Sequence, residues 1–335
     1  MSGKTGQERA VIALAMGDPA GIGPELAAKL IQSEAVAKAA RLIVIGDRRV
    51  LEQGAATAGL TFSIDDASPD GLDANGDHVL LDLRNLDPAD VAIGEATPAG
   101  GRFAVENFTQ ALRLAHQGKV EAVCYTPFNK KAMRYAHPGY DDESRFISEV
   151  LRLNDRGREF NVLDALWNAR VTSHIPLKDV AANLSVPAIV GEIRLTANCL
   201  KRSGVASPRL LVAGLNPHAG DGGSFGTEEI EIIGPAVEAA RSEGFDVSGP
   251  LPADTVFLAA LKGDYHAVLT MYHDQGQIAM KMMGFDRGVT MLGGLPFPVC
   301  TPAHGTAYDI AGQGVADTRA SEEAVLLAAR LAKPV

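Results

Sequence analysis

Residues 13–30, "ALAMGDPAGIGPELAAKL", run from an apolar, strand-like segment through a turn rich in Gly and Pro into a helix-like segment. Strand, tight turn and helix in that order form the repeating unit of α/β proteins. Glycine-rich turns at such junctions often cradle phosphate. This one has neither familiar spacing. Its glycines are Gly17, Gly21 and Gly23, so it is not G-x-G-x-x-G, and no Gly-Lys-Ser/Thr follows. Pro24 suits the first turn of a helix, where a missing N–H is tolerated. The stretch reads as a shaped turn beside a helix N-terminus, with anion binding left open.

The same alternation continues along the chain. Short apolar runs, "VIALAM", "RLIVIGD", "HVLLDL", "EAVCYTP", "RLLVAGLNP" and "HAVLTMY", read as buried strands. Longer helix-like stretches separate them, among them "RFAVENFTQALRLAHQG" and "TEEIEIIGPAVEAARSEG". In the first, Phe103, Phe108, Ala111, Leu112 and Ala115 share a face at helical spacing. Gly118 and Gly244 fit C-terminal caps. Residues 63–76, "SIDDASPDGLDANG", read as an acidic surface loop or hairpin. Mainly parallel α/β sheets follow, and 335 residues favour two lobes.

A net charge of −10, with no basic run, argues against nucleic acid as a partner. No apolar run reaches the roughly 18 residues of a membrane span, and "MSGKTGQERA" lacks a signal-peptide core. A cytoplasmic protein without membrane contact is the expectation. Cys124, Cys199 and Cys300 lie far apart and read as buried free thiols.

Ligands in α/β proteins bind beyond the carboxyl ends of strands. His174, His218 and His273 each follow an apolar run, in "VTSHIPL", "LLVAGLNPHAGDGGSFG" and "AVLTMYHDQG". Three imidazoles suit a transition metal and leave positions open for substrate oxygens. Their separations, 44 and 55 residues, form no local metal motif. Hydrogen-bonded structural histidines are therefore the competing reading. His78, His116, His137 and His266 lack polar, glycine-rich surroundings and read as surface or packing residues. His304 opens "HGTAYDIAGQGVAD", a turn whose glycines allow a nucleotide close approach.

Taken in order, "GDPAGIGPE", "HIPLKDV", "GLNPHAGDGGSFGTEE", "GPLPADTVF", "YHDQGQIAMKMMGFDRGV" and "HGTAYDIAGQGVAD" resemble the 4-hydroxythreonine-4-phosphate dehydrogenase family and its catabolic relatives. The resemblance extends from about residue 12 to residue 318. It implies a two-lobed isocitrate/isopropylmalate-dehydrogenase-like α/β fold with a cleft between lobes, in a homodimer with shared active sites. It places residues 1–127 and 300–335 in a first lobe carrying the nucleotide loop. Residues 128–299 then form a second lobe with the metal ligands and dimer contacts. The family's metal ligands fall on His174, His218 and His273, with zinc favoured over magnesium, manganese or cobalt.

The resemblance assigns His304, Gly305, Asp309 and Gly312 to the cofactor. Asp309 is suited to a ribose diol and repels a 2′-phosphate, favouring NAD, with NADP the alternative. The implied reaction is oxidation of an alcohol lying β to a carboxylate, followed by loss of carbon dioxide. Lys281, Lys130 and Asp254 match catalytic or cleft residues, Lys281 binding an anionic group or moving a proton. The substrate pocket departs from the family. "DESRF" replaces "GHTEF", putting Glu143 for histidine and Ser144 for threonine. Thr290 stands for an asparagine and Val299 for an arginine, and Arg145 or Arg287 could compensate for the lost charge. A small anionic substrate is implied, with two other readings beside the vitamin B6 one. The first is a catabolic relative acting on a cis-dihydrodiol carboxylate or a phosphorylated four-carbon sugar acid; the second is a non-catalytic metabolite-binding protein.

Overall fold

The apolar runs become strands because their backbones must be paired where water is excluded. A computed structural model describes residues 9–69, 71–72 and 77–333. Its strands are β1 (Ala10–Ala15), β2 (Ala40–Gly46), β3 (Asp65–Asp66), β4 (Val79–Asp82), β5 (Ala122–Tyr125), β6 (Arg158–Leu163), β7 (Leu166–Arg170), β8 (Arg209–Ala213), β9 (Asp246–Leu251), β10 (Ala267–Thr270), β11 (Val289–Gly293) and β12 (Val299–Pro302). Of the acidic stretch 63–76, residues 65 and 66 form β3, whereas Asp70 and residues 73–76 lie outside the described residues. So do residues 1–8, read above for signal-peptide character.

Met1–Gly157 with Leu295–Lys333 make one unit, and Arg158–Gly294 fall in the other. The first carries a parallel sheet in the order β3-β4-β2-β1-β5-β12. β1 and β2 are buried along their whole length, as strands covered on both faces must be. Residues 128–157, expected with the second lobe, group with this unit. Aromatic packing explains it: Tyr125 stacks on Phe128 with ring centroids 4.4 Å apart, and Phe108 on Phe146 at 5.7 Å. The boundary lies at Gly157 rather than at residue 127.

The second unit carries β11-β6-β7-β10-β8-β9. β11, β6 and β7 are antiparallel neighbours, while β7, β10, β8 and β9 run parallel. The central register sets Thr270 against Arg170 and Leu269 against Val212. Three parallel strands therefore end side by side, and each is followed within a few residues by one of the three histidines.

The helix Pro98–His116 buries Phe103, Phe108, Ala111, Leu112 and Ala115, the face expected from spacing. Gly118 and Gly244 adopt φ of +70° and +89°, the left-handed conformation that ends a helix. The second expected helix is not uniform. Glu229–Ile233 form a π-turn before the helix Gly234–Ser242. Pro235 explains the widening, since it has no N–H to donate and its ring crowds the carbonyl a turn earlier. All three cysteines are buried. Among the described residues no helix is long and apolar enough to cross a membrane.

Candidate metal centre and nucleotide loop

His174 and His273 come together at the ends of β7 and β10. Backbone bonds continue the ladder past the strands, from Val171 N to Thr270 O (2.9 Å) and from Thr172 N to Met271 O (3.1 Å). The Thr172 hydroxyl adds a 2.7 Å bond to the same Met271 carbonyl. The imidazole centroids of His174 and His273 are consequently 5.7 Å apart. They line a pocket of about 260 Å³ with Thr172, Ile175, Tyr272 and Asp274. His273 Nδ1 donates to Asp274 Oδ1 at 2.6 Å, which turns Nε2 into the ring's available ligand atom.

His218 sits on the loop after β8, whose backbone is unusual. His218, Ala219, Gly220, Asp221 and Gly222 all have positive φ, between 43° and 83°. For residues other than glycine this conformation costs about 1–2 kcal/mol each, so the surroundings must enforce it. Glu229 does so from the π-turn. Its Oε1 accepts from Leu215 N (2.7 Å) and Asn216 N (2.8 Å), and its Oε2 accepts from Asn216 Nδ2 (2.9 Å). A Cβ on Gly220 would approach Glu229 Oε2 to 2.7 Å, so only glycine fits there. His174 shares the left-handed conformation, with φ of 55°.

Within one chain, then, two of the three histidines are neighbours. Among the described residues no three His, Cys, Asp or Glu side chains gather closely enough to hold an ion. The paired imidazoles, with Asp274 behind one of them, are the donor chemistry a transition metal takes, and they fit a site that a further ligand completes.

In the first unit the opening stretch meets the loop His304–Asp317. Ile22 N donates to Thr306 O at 3.0 Å, and a Cβ on Gly21 would lie 2.7 Å from that oxygen. Glu25, 2% exposed, accepts from Ala316 N at 2.8 Å. Lys29 bonds Glu25 Oε1 (2.7 Å), Ala316 O (2.8 Å) and Gly314 O (3.2 Å). The Tyr308 hydroxyl donates to Asp18, whose other oxygen accepts from Ala20 N at 2.9 Å. Burial raises the Asp18 carboxyl above its usual range, against the opposing pull of Tyr308 and the Ala20 amide. The turn's amides are thus used internally: Ala20 and Gly21 bond Asp18, and Ile22 bonds Thr306. Its glycines and acids shape the neighbouring loop and leave the open alternative of anion binding without support. Gly305, Asp309 and Gly312 are exposed on that loop, and His304 Nε2 is buried without a protein hydrogen-bond partner.

Comparison with known proteins decides the family. Residues 38–328 match "Pyridoxal phosphate biosynthetic protein PdxA". The chain belongs to the PdxA family. It is 66% identical over 331 residues to a Rhizobium meliloti (strain 1021) protein provisionally named 4-hydroxythreonine-4-phosphate dehydrogenase 2, covering 98% of this chain and 95% of that one. It is 37% identical to an Oceanobacillus iheyensis protein provisionally named D-threonate 4-phosphate dehydrogenase, covering 97% and 98%. The crystal structure of 4-hydroxythreonine-4-phosphate dehydrogenase from Klebsiella pneumoniae superimposes with a TM-score of 0.84 at 34% identity, over 99% and 100% of the two chains.

The structure gives surroundings to the positions where the resemblance implies a departure in the substrate pocket. Glu143 accepts a 2.8 Å bond from the buried Tyr140 hydroxyl, and Ser144 donates to Gly157 O at 2.7 Å. Val299 is fully buried in β12 and offers no polar group. Arg145, a candidate replacement cation, is paired with Glu149 at 2.8 Å, and Arg287 with Asp164 at 3.1 Å. Thr290 lies opposite Asn161 across β11 and β6. Lys281, Asp254 and Lys130 are exposed; Lys281 is on the helix His273–Gly284, and Asp254 is in the first turn of its helix. Lys130 and Glu143 are in the first unit, the other two in the second.

Sequence reading missed Glu229, Gln275, Glu25 and Tyr308. All four lie inside quoted motifs, but what they bond depends on how the loops fold, and spacing gives no sign of that.

Proposed function

We propose that this PdxA-family dehydrogenase is metal-dependent and NAD-linked, and that it oxidises a phosphorylated β-hydroxy acid and releases carbon dioxide. The observation that carries the reading is the His174–His273 pair at adjacent strand ends, with Asp274 on His273 Nδ1. His218 completes the set in a homodimer whose sites draw on both chains. Supporting this, eight of the eleven exposed large apolar residues among those described belong to the second unit, including Leu177, Phe225, Leu258 and Met282. Gathered into one patch, such residues would mark an interaction surface.

When bound, a divalent ion, zinc in first place, supplies positive charge that favours loss of the alcohol proton and stabilises the charge left as carbon dioxide departs. The histidines hold it, and Asp274 fixes the orientation of one ring. His304, Gly305, Asp309 and Gly312 receive the nucleotide, with Asp309 hydrogen-bonding the ribose diol of NAD. Lys281 binds an anionic group of the substrate, and Lys130 and Asp254 add polar groups around it. Glu143, Ser144, Thr290 and Arg287 shape the substrate's other end. A cytoplasmic location, where nicotinamide cofactors are at hand, belongs to the same reading.

A second substrate reading has its own support. Glu143 brings negative charge and Val299 no charge, while Arg145 and Arg287 are occupied by carboxylates. The loss of the vitamin B6 contacts implied by the resemblance, together with 37% identity to a protein provisionally named D-threonate 4-phosphate dehydrogenase, supports a phosphorylated four-carbon sugar acid of catabolism as the substrate. The test is NADH formation by metal-loaded enzyme with 4-phosphohydroxy-L-threonine and with D-threonate 4-phosphate. Faster turnover of the second supports the catabolic reading; efficient turnover of the first refutes it. Binding without turnover of any β-hydroxy acid would make the chain a metabolite-binding protein.

A further inference from the structure

The three histidine loops are not independent. One chain of hydrogen bonds runs through all of them, and its central link is Gln275. In the first turn of the helix His273–Gly284, its Oε1 accepts from Met271 N at 2.7 Å. Its Nε2 donates to Gly214 O at 2.8 Å. Met271 O in turn receives the backbone and hydroxyl of Thr172, two residues before His174. Beyond Gly214, the next two amides are held by Glu229. The connection thus passes from the His174 loop to the His273 loop, and across Gln275 to the His218 loop.

We propose that Gln275 is a positioning residue that ties the His218 loop to the β10 strand end of its own chain, so that His218 is presented to the shared site it completes, and that it thereby sets metal affinity without touching the metal. This rests on the metal-centre reading above. The chemistry demands an amide: one end must accept from an N–H while the other donates to a carbonyl. A carboxylate keeps the first bond and turns a second acceptor toward Gly214 O; a leucine loses both. Gly214 has no slack to absorb the change. A Cβ there would lie 3.0 Å from Ala219 Cα and from Glu229 Oε1, so the loop is packed tightly at the contact point. The strained conformation at His218 is held from one side by Glu229 and anchored to the second strand end by Gln275.

The test uses metal-free full-length protein titrated with Co²⁺ alone, read by its visible absorption, with Zn²⁺ affinity measured by competition. Hydrogen exchange of the Leu215 and Asn216 amides is followed in the metal-free state. Wild type should bind Co²⁺ with imidazole-type bands. Gln275→Leu and Gln275→Glu should bind about 10- to 100-fold more weakly, the range for partners behind a ligand, with altered band intensities and faster exchange at 215 and 216. Folded variants with wild-type affinity, bands and exchange would overturn the proposal. Should the leucine variant fail to fold, the glutamate variant carries the test, since it retains the bond to Met271. Failure of wild type to bind Co²⁺ would instead overturn the metal centre itself.

Discussion

Two loop systems, one in each unit, solve the same problem with different materials. The loop His304–Asp317 is held by buried acids on the opening stretch: Glu25 bonds Ala316 N, and Asp18 receives Tyr308. The loop after β8 is held by Glu229, which bonds Leu215 N and Asn216 N. In both, a buried carboxylate near the start of a helical segment satisfies backbone amides that the loop cannot satisfy itself. They differ in charge balance. Glu25 is neutralised by Lys29 at 2.7 Å, whereas Glu229 is answered only by amides from the loop and Asn216. The first loop is thus locked by an ion pair, and the second by a carboxylate whose partners are the loop itself. On the proposed reading, the first serves as the seat for a nucleotide and the second carries a metal ligand.

Breaking the second system should cost most. His218→Ala should lower kcat/KM by at least about a thousandfold, since several kcal/mol of charge stabilisation are lost, while circular dichroism stays unchanged. Retained turnover would contradict the assignment. In the first system, Lys29→Met leaves Glu25 buried and unpaired. Allowing for partial exposure of the lysine, the loss should be about 2–3 kcal/mol, seen as a lower urea midpoint. An unchanged midpoint would show that the ion pair does not secure the loop.

Tyr308→Phe should raise KM for NAD about fivefold, for one lost hydrogen bond of roughly 1 kcal/mol, with a smaller change in kcat. It also carries a pH signature. Because burial raises the Asp18 carboxyl, the folded protein holds that proton more tightly than the unfolded chain does. The associated stability is full below the ordinary carboxylate range and is lost as pH rises through the raised value. Removing the Tyr308 donor should push the loss to still higher pH, and Asp18→Asn should abolish it; urea midpoints against pH would report both. The smallest effect belongs to Glu143→Gln. Deleting a partly exposed negative charge should lower KM for a phosphorylated acid about threefold. A rise in KM would mean that Glu143 binds the substrate favourably.

Much of this was legible in the chain. Apolar runs such as "RLIVIG" can only be buried strands, and the left-handed Gly118 and Gly244 end helices as expected. The histidines were visible as residues that follow strands. Spacing did not relate them, and only the family resemblance did, because their meeting depends on β7, β10 and β8 being spatial neighbours although they are distant in the chain. The opening motif was conspicuous but ambiguous: its glycines permit close approach to Thr306, which composition cannot distinguish from approach to a phosphate. The boundary at Gly157 escaped notice because it depends on Phe128 and Phe146 stacking on rings from earlier segments. Gln275 and Glu229 left no trace in spacing, since their partners are groups that only the folded loops bring within reach.

The central claim is that His174 and His273 of one chain, with His218 completing the set, grip a single divalent ion. Anomalous diffraction at the zinc edge, from crystals of zinc-reconstituted protein, addresses it directly. The account predicts one strong peak per chain, about 2.0–2.1 Å from an imidazole nitrogen of each of the three histidines. A peak elsewhere, or three rings with no ion among them, would contradict it.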